Sequence, residues 1–222
     1  MKTIRRSKPV SISLADLRAE YAQAGLNARN LDRDPLRQFQ QWFEEALKAG
    51  LREPNAMVLA TVNAVGQPST RIVLLKGIDE RGFTFFTNYQ SRKALDLESN
   101  QRAALNFPWL DLERQVNVLG SVSKIDRQES EAYFRTRPRG NRLGAWASQQ
   151  SEVIAERSVL EKRMAELESK YPSDDIPMPE HWGGYRLNPA EIEFWQGRPN
   201  RLHDRFRYSR QSEGWKLVRL SP

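Results

Sequence analysis

Met57-Val58-Leu59-Ala60-Thr61-Val62-Asn63-Ala64-Val65-Gly66-Gln67-Pro68-Ser69-Thr70-Arg71-Ile72-Val73-Leu74-Leu75-Lys76 is the stretch that sets the fold class. Met57–Val62 and Thr70–Leu75 are apolar and rich in β-branched residues, the composition of strands. Asn63 to Pro68, with Gly66 inside it, is a turn signal between them. A connection this short joins antiparallel strands, because a parallel crossover needs a dozen or more residues.

The same rhythm extends outward. Asp79-Glu80-Arg81-Gly82 reads as the next turn, and Phe83–Thr87, Ala103–Phe107 and Gln115–Ser123 as further strands. Strands resume at Gly184–Leu187, Glu191–Trp195, Arg205–Tyr208 and Trp215–Leu220. An antiparallel meander of this length closes most often into a barrel or sandwich. Helices interrupt it. Asp34 as N-cap, Pro35 at the first position and Gly50 past the last turn bound one helix. Its Leu36, Phe39, Phe43, Ala46 and Leu47 recur at helical spacing and belong to the core. Ser91–Glu98 is a second, with Ser91 as its cap. Asp126–Arg137 is a third, with Asp126 and Glu129 in capping-box spacing and Pro138 ending it. Ser151–Lys170 is a fourth. Upstream, residues 1–13 read as a flexible basic arm, and Ser13 as the cap of a short helix over Leu14–Ala24. The expected architecture is α+β, with residues 1–33 as arm and short N-terminal helix and residues 34–222 as a single domain.

Composition narrows the chemistry. The chain has 222 residues, no cysteine and two histidines, His181 and His203. Disulfides, thiolate catalysis and cysteine-ligated zinc are excluded, and a histidine-rich metal centre is not expected. No G-x-G-x-x-G or P-loop pattern occurs. An enzyme with so few reactive side chains needs a bound cofactor to carry the reactive group. No run approaches the roughly 18 apolar residues of a membrane helix, and the basic N-terminus has no apolar core of a secretory signal. A cytoplasmic protein without a membrane partner is the expectation. Net charge is +7, and 26 of the 35 basic residues are Arg, which matches phosphate geometry better than Lys. Anionic partners follow, either nucleic acid or small phosphorylated molecules.

Five groups of residues bear chemistry. Arg71, Val73 and Leu75 share one strand face and Ile72, Leu74 and Lys76 the other. A strand apolar on both faces is expected to be buried on both, so the cations at its ends need partners. Arg92 and Lys93 stand in the first turn of the helix capped by Ser91, next to Thr87. The helix dipole makes that end positive, so two cations there conflict with it unless an anion binds. Tyr133 and Arg137, four apart on one helix face, offer a phenol and a guanidinium to one phosphate or carboxylate. Gln115, Gln150 and Ser151 suit the N–H and C=O edges of a heterocycle. Arg201, His203 and Arg205 alternate onto one face of an extended segment next to Trp195. Each group has an ordinary surface reading: strand-end snorkelling, a tolerated surface pair of cations, a Tyr–Arg stack, common polar residues at element ends, a solvated basic edge. Taken together they describe two anion sites with aromatic and amide groups for rings, hence two phosphorylated heterocycles, one cofactor and one substrate. The competing class is a basic RNA-binding module, for which no RNP, KH or zinc-knuckle pattern is present.

The assembled motifs resemble the pyridoxine/pyridoxamine phosphate oxidase family of flavin mononucleotide (FMN) enzymes. The matching stretches are Arg71 to Lys76, Thr87-Asn88 with Ser91-Arg92-Lys93, Leu112 to Val116, Tyr133-Phe134 with Arg137-Pro138-Arg139, Gly144-Ala145-Trp146, Gln150-Ser151, Trp182-Gly183-Gly184, and Phe194 to Gly197 with Arg201 to Arg205. The resemblance implies an antiparallel split β-barrel with surrounding helices, and a homodimer with FMN at the subunit interface. It also implies oxidation by O2 of a phosphorylated pyridine, with no nucleic-acid partner. Carried over, Arg71, Ile72, Val73, Leu74, Leu75, Lys76, Phe86, Thr87, Arg92, Lys93, Gln115, Gln150, Ser151, Trp195 and Arg205 would contact FMN. Lys76, Tyr133, Arg137 and Asn141 would hold the substrate phosphate, and Arg201 and His203 would be the catalytic pair against the pyridine ring. Arg18 and Tyr21 would cover the site. Asn141 stands where the family pattern has Ser, and Phe86 where it has Tyr.

Overall fold

The computed structural model describes residues 25–222. The expected arm, the helix over Leu14–Ala24, and Arg18 and Tyr21 lie outside the described residues. Helix α1 (Pro35–Lys48) begins as its sequence dictates. Asp34 accepts the Leu36 N–H at 2.9 Å, and Pro35 takes a position where its missing N–H costs nothing. Phe39, Trp42 and Ala46 are buried. The Phe39 ring meets Phe107 at 4.8 Å and Phe83 at 5.0 Å between centroids, both edge-on, a favoured aromatic geometry.

The strands are β1 (Ala56–Val62), β2 (Pro68–Leu74), β3 (Gly77–Asp79), β4 (Gly82–Asn88), β5 (Arg102–Trp109), β6 (Arg114–Lys124), β7 (Trp182–Gln196), β8 (Asp204–Arg210) and β9 (Trp215–Leu220). All pairings are antiparallel, in the order β2-β1-β5-β6-β7-β4-β3, with β8 on β7 and β9 on β8. The two ends of this order, β2 and β3, are consecutive in the chain and separated only by Leu75 and Lys76. There Leu75 N–H donates to Asn55 O at 2.8 Å and Lys76 N–H to Thr84 O at 2.9 Å. The sheet therefore curls into a barrel that closes through one chain bend. Strand β7 forks the structure: Trp182–Leu187 pairs with β4, and Glu191–Gln196 pairs with β8 along the same edge. Helices α2 (Arg92–Ser99), α3 (Arg127–Thr136), α4 (Arg139–Ala147) and α5 (Ser158–Lys170) pack outside. Among the described residues, no helix is long and apolar enough to cross a membrane.

Several expectations are corrected. β2 is not buried on both faces: it is an edge strand, and Ile72 is 72% exposed. β7 is one strand where two were expected. Pro189, which reads as a break, sits opposite Gly120 where the β6–β7 register shifts, and a bulge tolerates the missing N–H. α5 starts at Ser158 rather than Ser151, whose φ of 79° is incompatible with a helix. α4 was not anticipated; its glycines at 140 and 144 dilute the helical signal. Asp126 and Ser91 sit at N-caps but make no side-chain capping bond. Glu129 is drawn instead to Arg186, at 2.6 Å.

Candidate active site

The ends of β2 and β4 and the helices α2, α3 and α4 enclose a cavity of about 830 Å³. Arg71, Ile72, Val73, Leu74, Lys76, Phe86, Thr87, Arg92, Lys93, Tyr133, Arg137, Asn141, Gln150 and Ser151 all face it. Leu75 does not line it and belongs to the core instead. Among the described residues, the lining holds five cationic side chains and no carboxylate.

One connected group surrounds the start of α2. Lys93 is buried, and its Nζ donates to Thr87 Oγ1, Ser91 Oγ and Gln150 Oε1, each at 3.1 Å. Burial, with the nearby Arg71 charge adding to it, pulls its pKa from 10.5 down to about 8. The Arg92 N–H, one of the unsatisfied donors of a helix start, reaches Ser151 Oγ at 3.2 Å. Positive φ at Ser151 turns that hydroxyl back toward the helix, so Gln150 and Ser151 serve from a turn and do not open a helix. Burial also lowers the pKa of Arg71; Asp96 opposes that shift and Arg92 adds to it.

A second group is aromatic. Phe86 stacks on Tyr133 at 4.0 Å and on Trp182 at 5.3 Å, with interplanar angles of 18° and 9°. The Arg137 guanidinium lies 4.7 Å from the Trp182 ring centre. Its Nη1 is buried without a hydrogen-bond partner, and burial lowers its pKa. A buried N–H donor without an acceptor costs free energy until a ligand supplies one. Asn141 is exposed on α4 at the cavity edge.

Gln115, Trp195, Arg201, His203 and Arg205 lie elsewhere, and none of them lines the cavity. Gln115, Trp195 and Arg205 are in register across β6, β7 and β8. The expectation that Arg201, His203 and Arg205 alternate along one strand is overturned. Pro199–Arg201 is a 3-10 turn, Asn200 and Arg201 have φ of 57° and 61°, and β8 begins only at Asp204. The turn brings His203 onto the Trp195 ring at 4.6 Å. The Arg198 N–H donates to His203 Nδ1 at 3.1 Å. In the neutral ring, the proton is therefore on Nε2. Arg205 is held by Glu193 at 2.8 and 3.1 Å. Asp204 accepts from the Leu26 N–H and pairs with Arg198 and Arg219.

Sequence reasoning missed Trp182 as a cavity wall and Asp96 as a buried carboxylate below Arg71. Asp96 left a signal: it interrupts the buried face of α2 marked by Ala94 and Leu97, and a buried carboxylate needs partners.

Comparison with known proteins gives consistent matches. A family model described as pyridoxamine 5'-phosphate oxidase matches residues 43–171, and one described as the pyridoxine 5'-phosphate oxidase C-terminal dimerisation region matches residues 182–222. A protein of Rubrobacter xylanophilus named pyridoxine/pyridoxamine 5'-phosphate oxidase is 59% identical, over 94% of this chain and 96% of that one. Its namesake from Cupriavidus necator is 60% identical, over 94% and 99%. Among solved structures, PhzG from Burkholderia lata, in complex with tetrahydrophenazine-1-carboxylic acid, superposes with a TM-score of 0.86 at 30% identity, covering 92% of this chain and all of that one. A pyridoxamine 5'-phosphate oxidase-related, FMN-binding protein from Nostoc punctiforme shares the fold, with a TM-score of 0.67 at 19% identity over 83% and 97% of the two chains.

Proposed function

The chain belongs to the pyridoxine/pyridoxamine 5'-phosphate oxidase family, and on that premise we propose that it oxidises pyridoxine 5'-phosphate or pyridoxamine 5'-phosphate to pyridoxal 5'-phosphate. O2 is the electron acceptor and becomes hydrogen peroxide; the amine substrate also consumes water and releases ammonia. The observation that carries the reading is one cavity faced by five cations and no carboxylate. Such a site has room and charge for two phosphorylated ring compounds.

The residues fit FMN. Arg71, Arg92 and Lys93 supply charge for its phosphate, and Ser151, Thr87 and Gln150 supply neutral polar groups beside them. The apolar side chains of Ile72 to Leu74 give a wall for the ring. FMN, when bound, supplies the hydride acceptor. Lys76, Tyr133 and Arg137 are assigned to the substrate phosphate, with Asn141 at the rim. The unpartnered Arg137 Nη1 gains its acceptor there, and the Phe86–Tyr133 stack sets the direction of approach. Holding the donor carbon in near-attack geometry is the main task of these side chains.

Arg201 and His203 are assigned to the other side of the substrate, and Gln115, Trp195 and Arg205 to the flavin, from a second copy of the chain. The cavity touches β7 only at Trp182, whereas Trp195 stands thirteen residues on, roughly 40 Å of strand contour. One chain does not bring both ends of β7 to one ligand; a homodimer does. The match of residues 182–222 to a dimerisation region supports this, as does the exposed Ile72 on the edge strand beside the cavity. Arg201 would orient the ring, and His203 would present Nε2–H as a donor. The cytoplasm is the proposed compartment, since a chain without cysteine gains nothing from an oxidising one.

The test is O2 uptake and hydrogen peroxide release by the FMN-loaded protein, with pyridoxine 5'-phosphate and pyridoxamine 5'-phosphate supplied in turn. Folded, flavin-loaded protein that consumes no O2 with either compound refutes the assignment.

A further inference from the structure

Below the cavity wall, Asp96 is buried at 4% exposure on α2. Its Oδ2 accepts from Thr61 Oγ1 at 2.6 Å and from Ser69 Oγ at 3.1 Å. A hydroxyl has one proton and two lone pairs. With both protons committed to the carboxylate, the two oxygens turn lone pairs outward, and Arg71 takes them. Its Nη1 donates to Thr61 Oγ1 at 2.7 Å and to Leu59 O at 3.2 Å, and its Nη2 donates to Ser69 Oγ at 2.6 Å. The carboxylate itself stays 3.9 Å from Nη2. The contact between the two charges is thus relayed by hydroxyls that the carboxylate has polarised. Both Nη1 protons and one Nη2 proton are used in this way. The other Nη2 proton and the Nε proton are left for a ligand in the cavity.

We propose that Asp96 is a positioning residue for the cofactor phosphate, fixing the Arg71 guanidinium toward the cavity through the Thr61 and Ser69 hydroxyls. The inference rests on the reading of this cavity as an FMN site. Two features make the arrangement matter. Arg71 extends from an edge strand with solvent on one side, and such a side chain loses several rotamers when it is held in one geometry. Asp96 also stands one turn after Arg92 and Lys93 on the same helix. The bond network therefore ties the Arg71 strand to the helix that carries the other two cations, so three charges that repel one another hold one spacing. A preorganised set of donors binds an anion without ordering cost at the moment of binding.

The experiment is a titration of the flavin-free full chain with FMN and with riboflavin, which lacks the phosphate, followed by quenching of flavin fluorescence. In Asp96→Asn, the FMN dissociation constant is expected to rise about tenfold or more, the scale of a charge-assisted hydrogen bond, while that of riboflavin stays within about twofold. Unchanged FMN affinity overturns the proposal. So does an equal loss for both flavins, since that marks general collapse of the cavity. The double variant Thr61→Val, Ser69→Ala keeps the carboxylate and cuts the relay; it should show the same selective loss, and it decides the matter if Asp96→Asn does not fold. Wild-type protein with no preference for FMN over riboflavin would refute the phosphate reading itself. A preference that survives in the variants refutes the role of Asp96 alone.

Discussion

At Lys93, binding and stability pull against each other. The ammonium is buried under Thr87, Ser91 and Gln150, and its pKa is about 8 against an ordinary 10.5. Between those two values the unfolded chain binds more protons than the folded one, so the contribution of Lys93 to stability rises as pH climbs through that window. An anion beside Lys93 favours its charged form, so FMN affinity should move the other way. It should be full below about pH 8 and fall by up to about tenfold per pH unit above it. Comparison of wild type with Lys93→Met checks both signs: the variant should bind FMN more weakly near neutral pH and lose the alkaline dependence of both flavin affinity and melting temperature. A wild-type flavin affinity that is flat across the alkaline range would contradict the placement of the phosphate at this amine. Arg137 offers a separate test. Arg137→Gln should raise KM for the phosphorylated substrates by about 10- to 100-fold, the scale of a lost charged hydrogen bond, and leave FMN bound; loss of flavin from that variant would move Arg137 to the cofactor side. Lys93 is legible in the sequence through a local conflict, two cations at a positive helix end; Arg137 is legible only beside the other groups, since a Tyr–Arg pair four apart reads by itself as a surface stack. Asp96 is legible only as a carboxylate on a buried helix face; its partners are not, because nothing in its neighbours along the chain shows that Thr61 and Ser69 lie across from it.

Among the elements, those whose limits are set locally follow the sequence. α1 starts at the residue that Asp34 and Pro35 specify, and β9 runs from Trp215 to Leu220 between Gly214 and Ser221. Elements whose limits depend on a partner do not. β7 continues through Asn188 and Pro189 because both stay paired with β6, at Ser121 and Gly120, while Ala190 is left unpaired as a bulge, and no local signal shows that a partner strand carries the ladder across the proline. The turn at Pro199–Arg201 is a similar case: alternation places Arg201 and His203 on one face only if the backbone is extended, and positive φ at Asn200 and Arg201 removes that premise. Gly120 is the residue on which the bulge depends. A Cβ there would lie well short of van der Waals contact distance from the Asn188 carbonyl oxygen, and two backbones paired in a ladder have little room to separate. Gly120→Ala should therefore destabilise the fold by ~3 kcal/mol or more, read as a shift of the urea midpoint at constant slope. A variant as stable as wild type would mean that the β6–β7 register slides to accommodate the methyl group.

For the whole molecule, the arrangement of β7 has a consequence that no single chain reveals. Its first residue, Trp182, borders the cavity and the cationic cradle, and its last turn of pairing carries Trp195, Arg205 and, just beyond, Arg201 and His203. The second set does not line the cavity of its own subunit, so the proposed site, which uses both, is one shared between two copies, and by symmetry a dimer would hold two of them. Complementation follows. A chain with Lys93→Met lacks the cradle but keeps Arg201; a chain with Arg201→Ala lacks that side chain but keeps the cradle. Each homodimer should be nearly inactive. In a heterodimer, one site receives both defects and the other receives the intact cradle of one chain and the intact Arg201 of its partner. Equal amounts of the two chains, unfolded together and refolded, should assemble about half heterodimers and recover about a quarter of wild-type turnover. The recovered activity should copurify with the mixed dimer when the two chains carry different affinity tags. If cradle and Arg201 serve one ligand within a single chain, neither chain in the mixture holds an intact site, and refolding together restores nothing.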